Sequence, residues 1–128
     1  MKKPFDLLFC LCLILFACQV VSCTKDAPYN GNVTVDARHN TLAVPQAKVY
    51  FKPGNKPAVP LSPDQYQGMI AADGNGQATF YQLAPGSYYI YATGFSAAAG
   101  RIVQGDTTIT VLARYRAESD FTILLNMN

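Results

Sequence analysis

The segment from Asp73 to Gln77 could supply oxygen ligands for a calcium ion. Asp73, Asn75 and Gln77 occupy the first, third and fifth positions of a calcium-binding loop, where side-chain oxygens are required. The same template needs glycine at its sixth position and glutamate at its twelfth, and the sequence has Ala78 and Ala84 there. Asp-Gly and Asn-Gly are also pairs that tight hairpin turns favour. We therefore interpret this segment as a β-hairpin turn and predict no metal site.

Two other residues could take part in catalysis, namely the single histidine and one serine. His39 lies in a predicted turn and has no acid or thiol partner close to it in sequence. Ser96 lies in Gly-Phe-Ser-Ala-Ala, which is similar to a nucleophile elbow, but position 98 is Ala where the elbow requires Gly. Ligand spacings typical of metal sites are absent from the sequence. The sequence therefore predicts a protein that is not an enzyme and that needs no cofactor.

The charge balance argues against a nucleic-acid partner. Ten Lys or Arg residues face eight Asp or Glu residues, which gives a formal net charge of +2. Binding to nucleic acid would require a basic stripe that neutralises several phosphates, and the sequence has none.

The N-terminal region is typical of an export signal. Lys2 and Lys3 precede an apolar run from Leu7 to Cys18, which is shorter than the roughly 20 residues that a transmembrane helix needs. Since no cysteine follows residue 23, no disulfide can crosslink the body of the chain. The four cysteines of the protein are Cys10, Cys12, Cys18 and Cys23.

The end of this signal resembles the lipobox of bacterial lipoproteins, in which a cysteine thiol is diacylated and the chain is cut just before it. Val20-Val21-Ser22-Cys23 places a small residue directly before Cys23, whereas the competing segment Leu15-Phe16-Ala17-Cys18 contains the bulky Phe16. The resemblance implies a signal peptide over residues 1–22 and a lipidated tether over residues 23–31. It also implies attachment to the cell envelope of a Gram-negative bacterium, at the periplasmic or surface face of the outer membrane.

The remaining chain alternates as β-strands do. Val33, Val35 and Ala37 are predicted to face inward from the first strand, and Phe121, Ile123 and Leu125 from the last. Comparable alternation predicts further strands over 47–53, 66–72, 77–83, 87–94, 101–103 and 107–113, with turns at 84–86, 104–106 and 114–118. About seven strands and no amphipathic helix predict an all-β fold, a single Greek-key β-sandwich.

One predicted loop is unusually rich in proline. Residues 54–65 contain Pro57, Pro60 and Pro63, which the interior of a sheet would not accept. Ser62 followed by Pro63 favours the start of a single helical turn. We therefore expect a surface loop here, which we call the proline-rich loop.

The stretch Asp73–Ala92 resembles the signature of carboxypeptidase regulatory-like domains, which are relatives of the transthyretin (prealbumin-like) sandwich. The upstream Pro45, Ala47 and Val49 are similar to the second strand of the same family. The resemblance implies one prealbumin-like domain over residues 32–128, and it implies little about activity because such domains serve many proteins as accessory modules. The matching residues are Asp73, Gly74, Gly76, Phe80, Leu83, Pro85, Gly86, Tyr88 and Ile90.

Tyrosine is the side chain that most favours a binding function, with eight in the chain. Tyr50, Tyr81, Tyr89 and Tyr91 fall on the outward phase of their strands. If the two strands that carry Tyr81, Tyr89 and Tyr91 pair as a hairpin, those three rings share one face. Such rings either stabilise the sheet through cross-strand pairs or contact a partner, which would be another envelope protein or a glycan. We therefore expect a non-catalytic, lipid-anchored binding or structural accessory module, with a carbohydrate-binding surface lipoprotein as the alternative.

The lipobox assignment predicts which cysteine carries the lipid. Cys23→Ala should abolish metabolic labelling with a fatty acid and leave the precursor uncleaved, because a thiol is needed to form the thioether. Cys18→Ala is the matched control and should be labelled and cleaved as the wild type is. The opposite pattern would move the anchor to Cys18.

Overall fold

The computed structural model describes residues 30–113 and 120–128, so the predicted signal peptide, nearly all of the tether and the turn at 114–118 lie outside the described residues. The predicted all-β sandwich is confirmed. Within the described residues, no helix is long and apolar enough to span a membrane. The strands are β1 Gly31–His39, β2 Leu42–Ala43, β3 Lys48–Pro53, β4 Gly68–Ala71, β5 Gln77–Leu83, β6 Gly86–Ser96, β7 Arg101–Val111 and β8 Phe121–Asn126.

The strands form two sheets of four strands each. In the first sheet, which we call the β1 sheet, β1 pairs antiparallel with β2 and β5 and parallel with β8. In the second, which we call the β6 sheet, the strand order is β4-β3-β6-β7 and every pair is antiparallel. The parallel register of Val33 with Phe121 brings the last strand beside the first.

The core lies between the two sheets and follows the predicted alternation. Val33, Val35 and Ala37 of β1 are fully buried, and Ile90 of β6 packs in the same cluster. Aromatic contacts join the sheets as well, since the rings of Phe51 and Phe80 lie 4.6 Å apart between centroids. The inner faces therefore match the sequence prediction closely, because period-two alternation fixes which side chains a half-buried strand points inward.

The turn at Asp73–Gly76 is present, but it is not a hairpin. It joins β4 of the β6 sheet to β5 of the β1 sheet, so its flanking strands do not pair. Asp73 Oδ1 accepts hydrogen bonds from the backbone N–H groups of Asn75 at 2.8 Å and Gln77 at 3.0 Å. Gly76 has φ of +77°, and a Cβ there would lie 2.7 Å from the carbonyl oxygen of Ala37. The segment is thus a corner between sheets that only glycine can close.

A second corner follows β5 and corrects the expectation that β5 and β6 form a hairpin. Ala84 and Pro85 lead from β5 in the β1 sheet to β6 in the β6 sheet. The hydroxyl of Tyr88 donates a hydrogen bond to the carbonyl oxygen of Ala84 at 2.6 Å, which fixes the direction in which β6 leaves the corner. A Pro-Gly pair marks a change of direction in the sequence, but it does not state whether the chain stays in the same sheet.

β6 and β7 are longer than the sequence predicted. The sequence predicted strands over 87–94 and 101–103 with a connection between them, but β6 continues to Ser96, and the expected turn at 104–106 lies inside β7. Gly105 interrupts the sequence pattern because another backbone crosses there, and a Cβ on it would lie 2.5 Å from the carbonyl oxygen of Asn126. Beside it, the backbones of Gln104 and Asn128 exchange hydrogen bonds at 2.9 and 3.1 Å. Glycine within a strand marks close backbone approach here and not a turn.

This packing predicts the cost of a methyl group at Gly105. Gly105→Ala should lower the free energy of unfolding by about 1–3 kcal/mol, because the backbone of Asn126 must move to make room. Gly74→Ala is the control, since nothing lies within 4 Å of a Cβ at that position. Urea unfolding of the three proteins measures the difference, and equal stability of the two variants would contradict the proposed close approach.

Candidate binding cleft beside a tyrosine cluster

The structure brings together three of the four tyrosines that the sequence singled out. Tyr50 of β3 is the cross-strand partner of Tyr91 of β6, and Tyr89 lies two residues before Tyr91 on the same outer face. Tyr81 lies apart from them, 73% exposed on β5 of the other sheet. The expectation that Tyr81, Tyr89 and Tyr91 share a face is therefore wrong, because β5 pairs with β1 and not with β6.

A tyrosine that the sequence analysis missed completes the group. The ring of Tyr66 stacks on Tyr89 and Tyr91 at centroid distances of 6.3 and 6.1 Å, with interplanar angles of 21° and 15°. It also contacts Tyr50 at 5.1 Å. We call Tyr50, Tyr66, Tyr89 and Tyr91 the tyrosine cluster. The sequence prediction placed Tyr66 at the start of a strand over 66–72, whereas in the structure it follows the proline-rich loop and lies before β4.

Tyr66 changes the environment of the rings beneath it. Although they are on the outer face of the sheet, Tyr50 is 8% exposed and Tyr89 is 5% exposed. Burial raises the pKa of Tyr89 well above its ordinary value, and the neighbouring Asp106 carboxylate raises it further. Burial likewise raises the pKa of Tyr66. The cluster is thus a second, small aromatic core on the outside of the β6 sheet, and the hydroxyls of Tyr66 and Tyr89 stay protonated at neutral pH.

The proline-rich loop is fastened over this face at both ends. Gly54 N–H donates to the carbonyl oxygen of Ser87 at 2.8 Å, and Gln67 N–H donates to that of Phe51 at 2.9 Å. Within the loop, the predicted helical turn is present as a 3₁₀ turn over Pro63–Gln65. Ser62 N–H donates to Gln65 Oε1 at 2.9 Å, which satisfies a backbone donor at the start of that turn.

An ion pair fastens the middle of the loop to β7. Lys56 Nζ contacts Asp106 Oδ2, and the hydroxyl of Tyr89 donates to the same oxygen at 2.9 Å. The Lys56 ammonium lowers the pKa of Asp106 below its ordinary value; partial burial opposes this effect, and the hydrogen bond from the Tyr89 hydroxyl adds a smaller lowering. Asp106 therefore remains a carboxylate and joins the loop, the tyrosine cluster and β7.

A cleft of about 620 Å³ opens between the proline-rich loop, the tyrosine cluster and β7. We call it the tyrosine cleft. Tyr91 lies on the floor of the cleft, and its hydroxyl donates a hydrogen bond to Gln104 Oε1 at 2.9 Å. The amide nitrogen of Gln104 takes no part in this hydrogen bond. The walls combine aromatic and aliphatic surface with neutral amides, contributed by Pro57, Val59, Leu61, Tyr66, Tyr89, Tyr91, Gln104, Asn126 and Asn128. The ion pair between Lys56 and Asp106 also lines the cleft.

This lining suits a ligand with both apolar and hydrogen-bonding surfaces. Tyrosine rings offer flat apolar faces with a polar edge, and each side-chain amide can donate and accept hydrogen bonds. The volume lies within the roughly 300–1,000 Å³ typical of small-molecule sites. Groups of three or more His, Cys, Asp or Glu that could hold a metal are not found in the described part of the chain. The geometry therefore favours binding through stacking and neutral hydrogen bonds.

The structure also brings His39 and Ser96 together, which the sequence did not suggest. His39 Nδ1 lies 3.1 Å from Ser96 Oγ, and Ala99 N–H lies 3.3 Å from the same oxygen. Ser96 is buried, so its hydroxyl is not open to a substrate. Among residues 30–113 and 120–128, neither ion pair involves His39. The contact ties the end of β1 to the end of β6 and lacks the third member of a catalytic triad.

Comparisons with known proteins bear on the fold. The chain matches no protein-family model and no curated protein. Among solved structures, it is similar to the major pilin subunit of Bacillus cereus, with 13% identity and a TM-score of 0.53 over 79% of this chain. The match covers 30% of the pilin subunit, so this chain corresponds to less than a third of that protein.

A second solved structure is similar at a lower score. It is a candidate carbohydrate binding protein from Pseudomonas aeruginosa, with 18% identity, a TM-score of 0.48, and coverage of 82% of this chain and 92% of that one. At 13% identity, the likeness to the pilin subunit bears on the fold alone, and it supports the β-sandwich architecture.

The ion pair on Asp106 predicts a defined pH dependence. Because its pKa is lowered on folding from the ordinary 3.8, the pair stabilises the protein above that pH and loses its effect as the pH falls through the lowered pKa. Lys56→Gln should return the pKa of Asp106 toward its ordinary value, as measured by NMR titration of the side-chain carboxyl carbon. The same variant should lose less stability than the wild type as the pH falls, because the ion pair that acid disrupts is already absent.

A second lysine provides the control for that titration. Lys52 is on the outer face of β3 opposite Tyr89 and makes no ion pair with Asp106. Lys52→Gln should therefore leave the pKa of Asp106 close to its wild-type value. Equal effects of the two substitutions would show that general charge, and not the contact with Lys56, controls Asp106.

Proposed function

We propose that this protein is a non-catalytic binding module that is lipid-anchored in the bacterial cell envelope and that takes its ligand in the tyrosine cleft. The observation that carries the proposal is the cleft itself, in which Tyr66 and Tyr91 stand beside the neutral amide of Gln104. The buried Ser96 and its histidine partner offer no accessible nucleophile, which favours binding over catalysis.

The anchor follows from the N-terminal sequence. Cys23 carries the lipid, residues 1–22 form the signal peptide, and residues 23–31 tether the domain at 32–128 to the outer membrane, on its periplasmic or surface face. The sandwich belongs with the carboxypeptidase regulatory-like domains. The corner built by Ala84, Pro85 and Tyr88 supports that assignment, because it gives a structural role to the motif on which the resemblance rests.

A carbohydrate is the ligand that the cleft favours over a second envelope protein. Protein partners typically bury about 800 Å² of each surface across broad interfaces. The tyrosine cleft is instead a concave space of about 620 Å³, a size suited to a small molecule or to part of a chain. Sugar rings present an apolar face that stacks on tyrosine and hydroxyl groups that pair with amides. The carbohydrate-binding surface lipoprotein is therefore the preferred form of the proposal.

Substitution of Tyr91 tests the site directly. Tyr91→Thr keeps a good strand former but removes the ring from the floor of the cleft, so the protein should stay folded. Its affinity for the ligand should fall by roughly thirtyfold, since a central aromatic contact commonly contributes about 2 kcal/mol. The measurements are a glycan array and a pull-down after mild crosslinking, both on the lipidated full-length protein.

Tyr81→Thr is the matched control for this experiment. Tyr81 is exposed on the other sheet, so its loss should change neither the array nor the pull-down. Loss of glycan signals with Tyr91→Thr would support the carbohydrate, and loss of one envelope protein would support a protein ligand in the same cleft. A folded Tyr91→Thr protein that keeps every partner of the wild type would overturn the proposed site.

A further inference from the structure

The outer face of the β6 sheet continues beyond the tyrosine cleft. On β6 and β7, the cross-strand pairs on this face run in order from Tyr91–Asp106 through Thr93–Gln104 to Phe95–Ile102. The proline-rich loop is fastened near Ser87, at the opposite end of β6, and the cleft that it forms reaches Gln104. The final pair therefore lies beyond the cleft, at the hairpin that joins the two strands.

Phe95 and Ile102 form an exposed apolar patch at the end of this face. Phe95 is 56% exposed and Ile102 is 62% exposed, although they are direct cross-strand partners. Tyr91 and Phe95 are four residues apart on one strand, so their rings lie on the same face about 13 Å apart at the usual rise per residue. A single sugar ring is too short to contact both.

The surface between the two rings is neutral and polar. Thr93 and Gln104 lie between them, and the hydroxyl of Tyr91 already orients the amide of Gln104 through its 2.9 Å bond. Lys48, the cross-strand partner of Thr93 on β3, is a charged group next to this surface, and the ion pair between Lys56 and Asp106 lies at its cleft end. Two aromatic rings separated by threonine and an oriented amide form a path on which apolar and polar contacts alternate.

We propose that the ligand is a glycan chain of several sugars, which enters the tyrosine cleft at Tyr91 and extends along β6 and β7 to a second stacking position at Phe95. This inference rests on the proposed function and specifies it, because it distinguishes a chain-binding surface from a pocket for a terminal sugar. Phe95 supplies the second ring, Ile102 its apolar support, and Gln104 hydrogen bonds between the two positions.

The position of the hairpin in the molecule favours a soluble chain over the membrane as the occupant of this face. β1 begins at Gly31, which pairs with Leu83, and it ends at His39, which contacts Ser96 beside the hairpin. The tether joins β1 at Gly31, whereas the hairpin between β6 and β7 lies near His39, at the other end of this nine-residue strand. Phe95 and Ile102 are thus presented away from the end that the lipid holds.

A series of oligosaccharides of increasing length tests the inference. Mono- to hexasaccharides of the neutral β-1,4-linked glucose, β-1,4-linked N-acetylglucosamine and α-1,4-linked glucose series would be titrated calorimetrically into the lipidated full-length protein in detergent. For the series that binds, affinity should rise by on the order of tenfold or more with length and then level off. Phe95→Thr should remove that rise and leave the affinity for the shortest binding ligand unchanged.

Leu124→Thr is the control, because Leu124 is exposed to a similar degree on β8 of the other sheet. It should keep the wild-type dependence on length. Length-independent binding, or a Phe95→Thr protein with the wild-type rise, would overturn the extended site while leaving the cleft in place. If no glycan of any length bound but Tyr91→Thr lost a protein partner, the glycan would be excluded and the binding module retained.

Discussion

Around Tyr89, both faces of β6 are covered, and the arrangement of the outer surface follows from this. The inner face contributes Ile90 to the core, and the outer face carries Tyr89 and Tyr91, whose rings offer a large apolar area for packing. Tyr66 stacks on them from the end of the proline-rich loop. Because the loop must reach across the sheet to deliver that ring, it leaves a concave space beside it, and this space is the tyrosine cleft.

A single carboxylate connects the parts of this site. Asp106 of β7 pairs with Lys56 of the loop and accepts the hydroxyl of Tyr89. Two groups from distant parts of the sequence are thereby held at one carboxylate oxygen, in a partly buried position where such a contact is stronger than in open water. The stacked tyrosine rings contribute buried contact area, and the ion pair and hydrogen bond at Asp106 fix how the loop is oriented over the sheet.

Glycine and proline mark the places where the chain changes sheet or passes close to another strand. Gly76 allows the corner between β4 and β5 to approach Ala37, and Gly105 allows the C-terminal segment to cross β7. The parallel β8 then lies beside β1, and its continuation to Asn128 pairs with Gln104. The far wall of the tyrosine cleft is built in this way, from residues at the end of the chain.

The sequence by itself determined which side chains of each strand face inward. Val33, Val35 and Ala37 could be assigned to the core from alternation alone, since successive residues of a strand point to opposite faces. It also identified the positions of the turns at Asp73–Gly76 and 84–86 and the proline-rich loop, because proline and glycine set the backbone locally.

Only the tertiary structure decided which strands are neighbours. Backbone hydrogen bonds are the same for every residue type, so alternation could not place β5 beside β1 or separate Tyr81 from Tyr89. Nor could it find Tyr66, which acts from a loop through contacts that are distant in sequence, or read Gly105 as a crossing point inside a strand. Strand alternation therefore predicted that Tyr89 and Tyr91 lie on the outer face, but the other residues of the cleft are brought together only by tertiary packing.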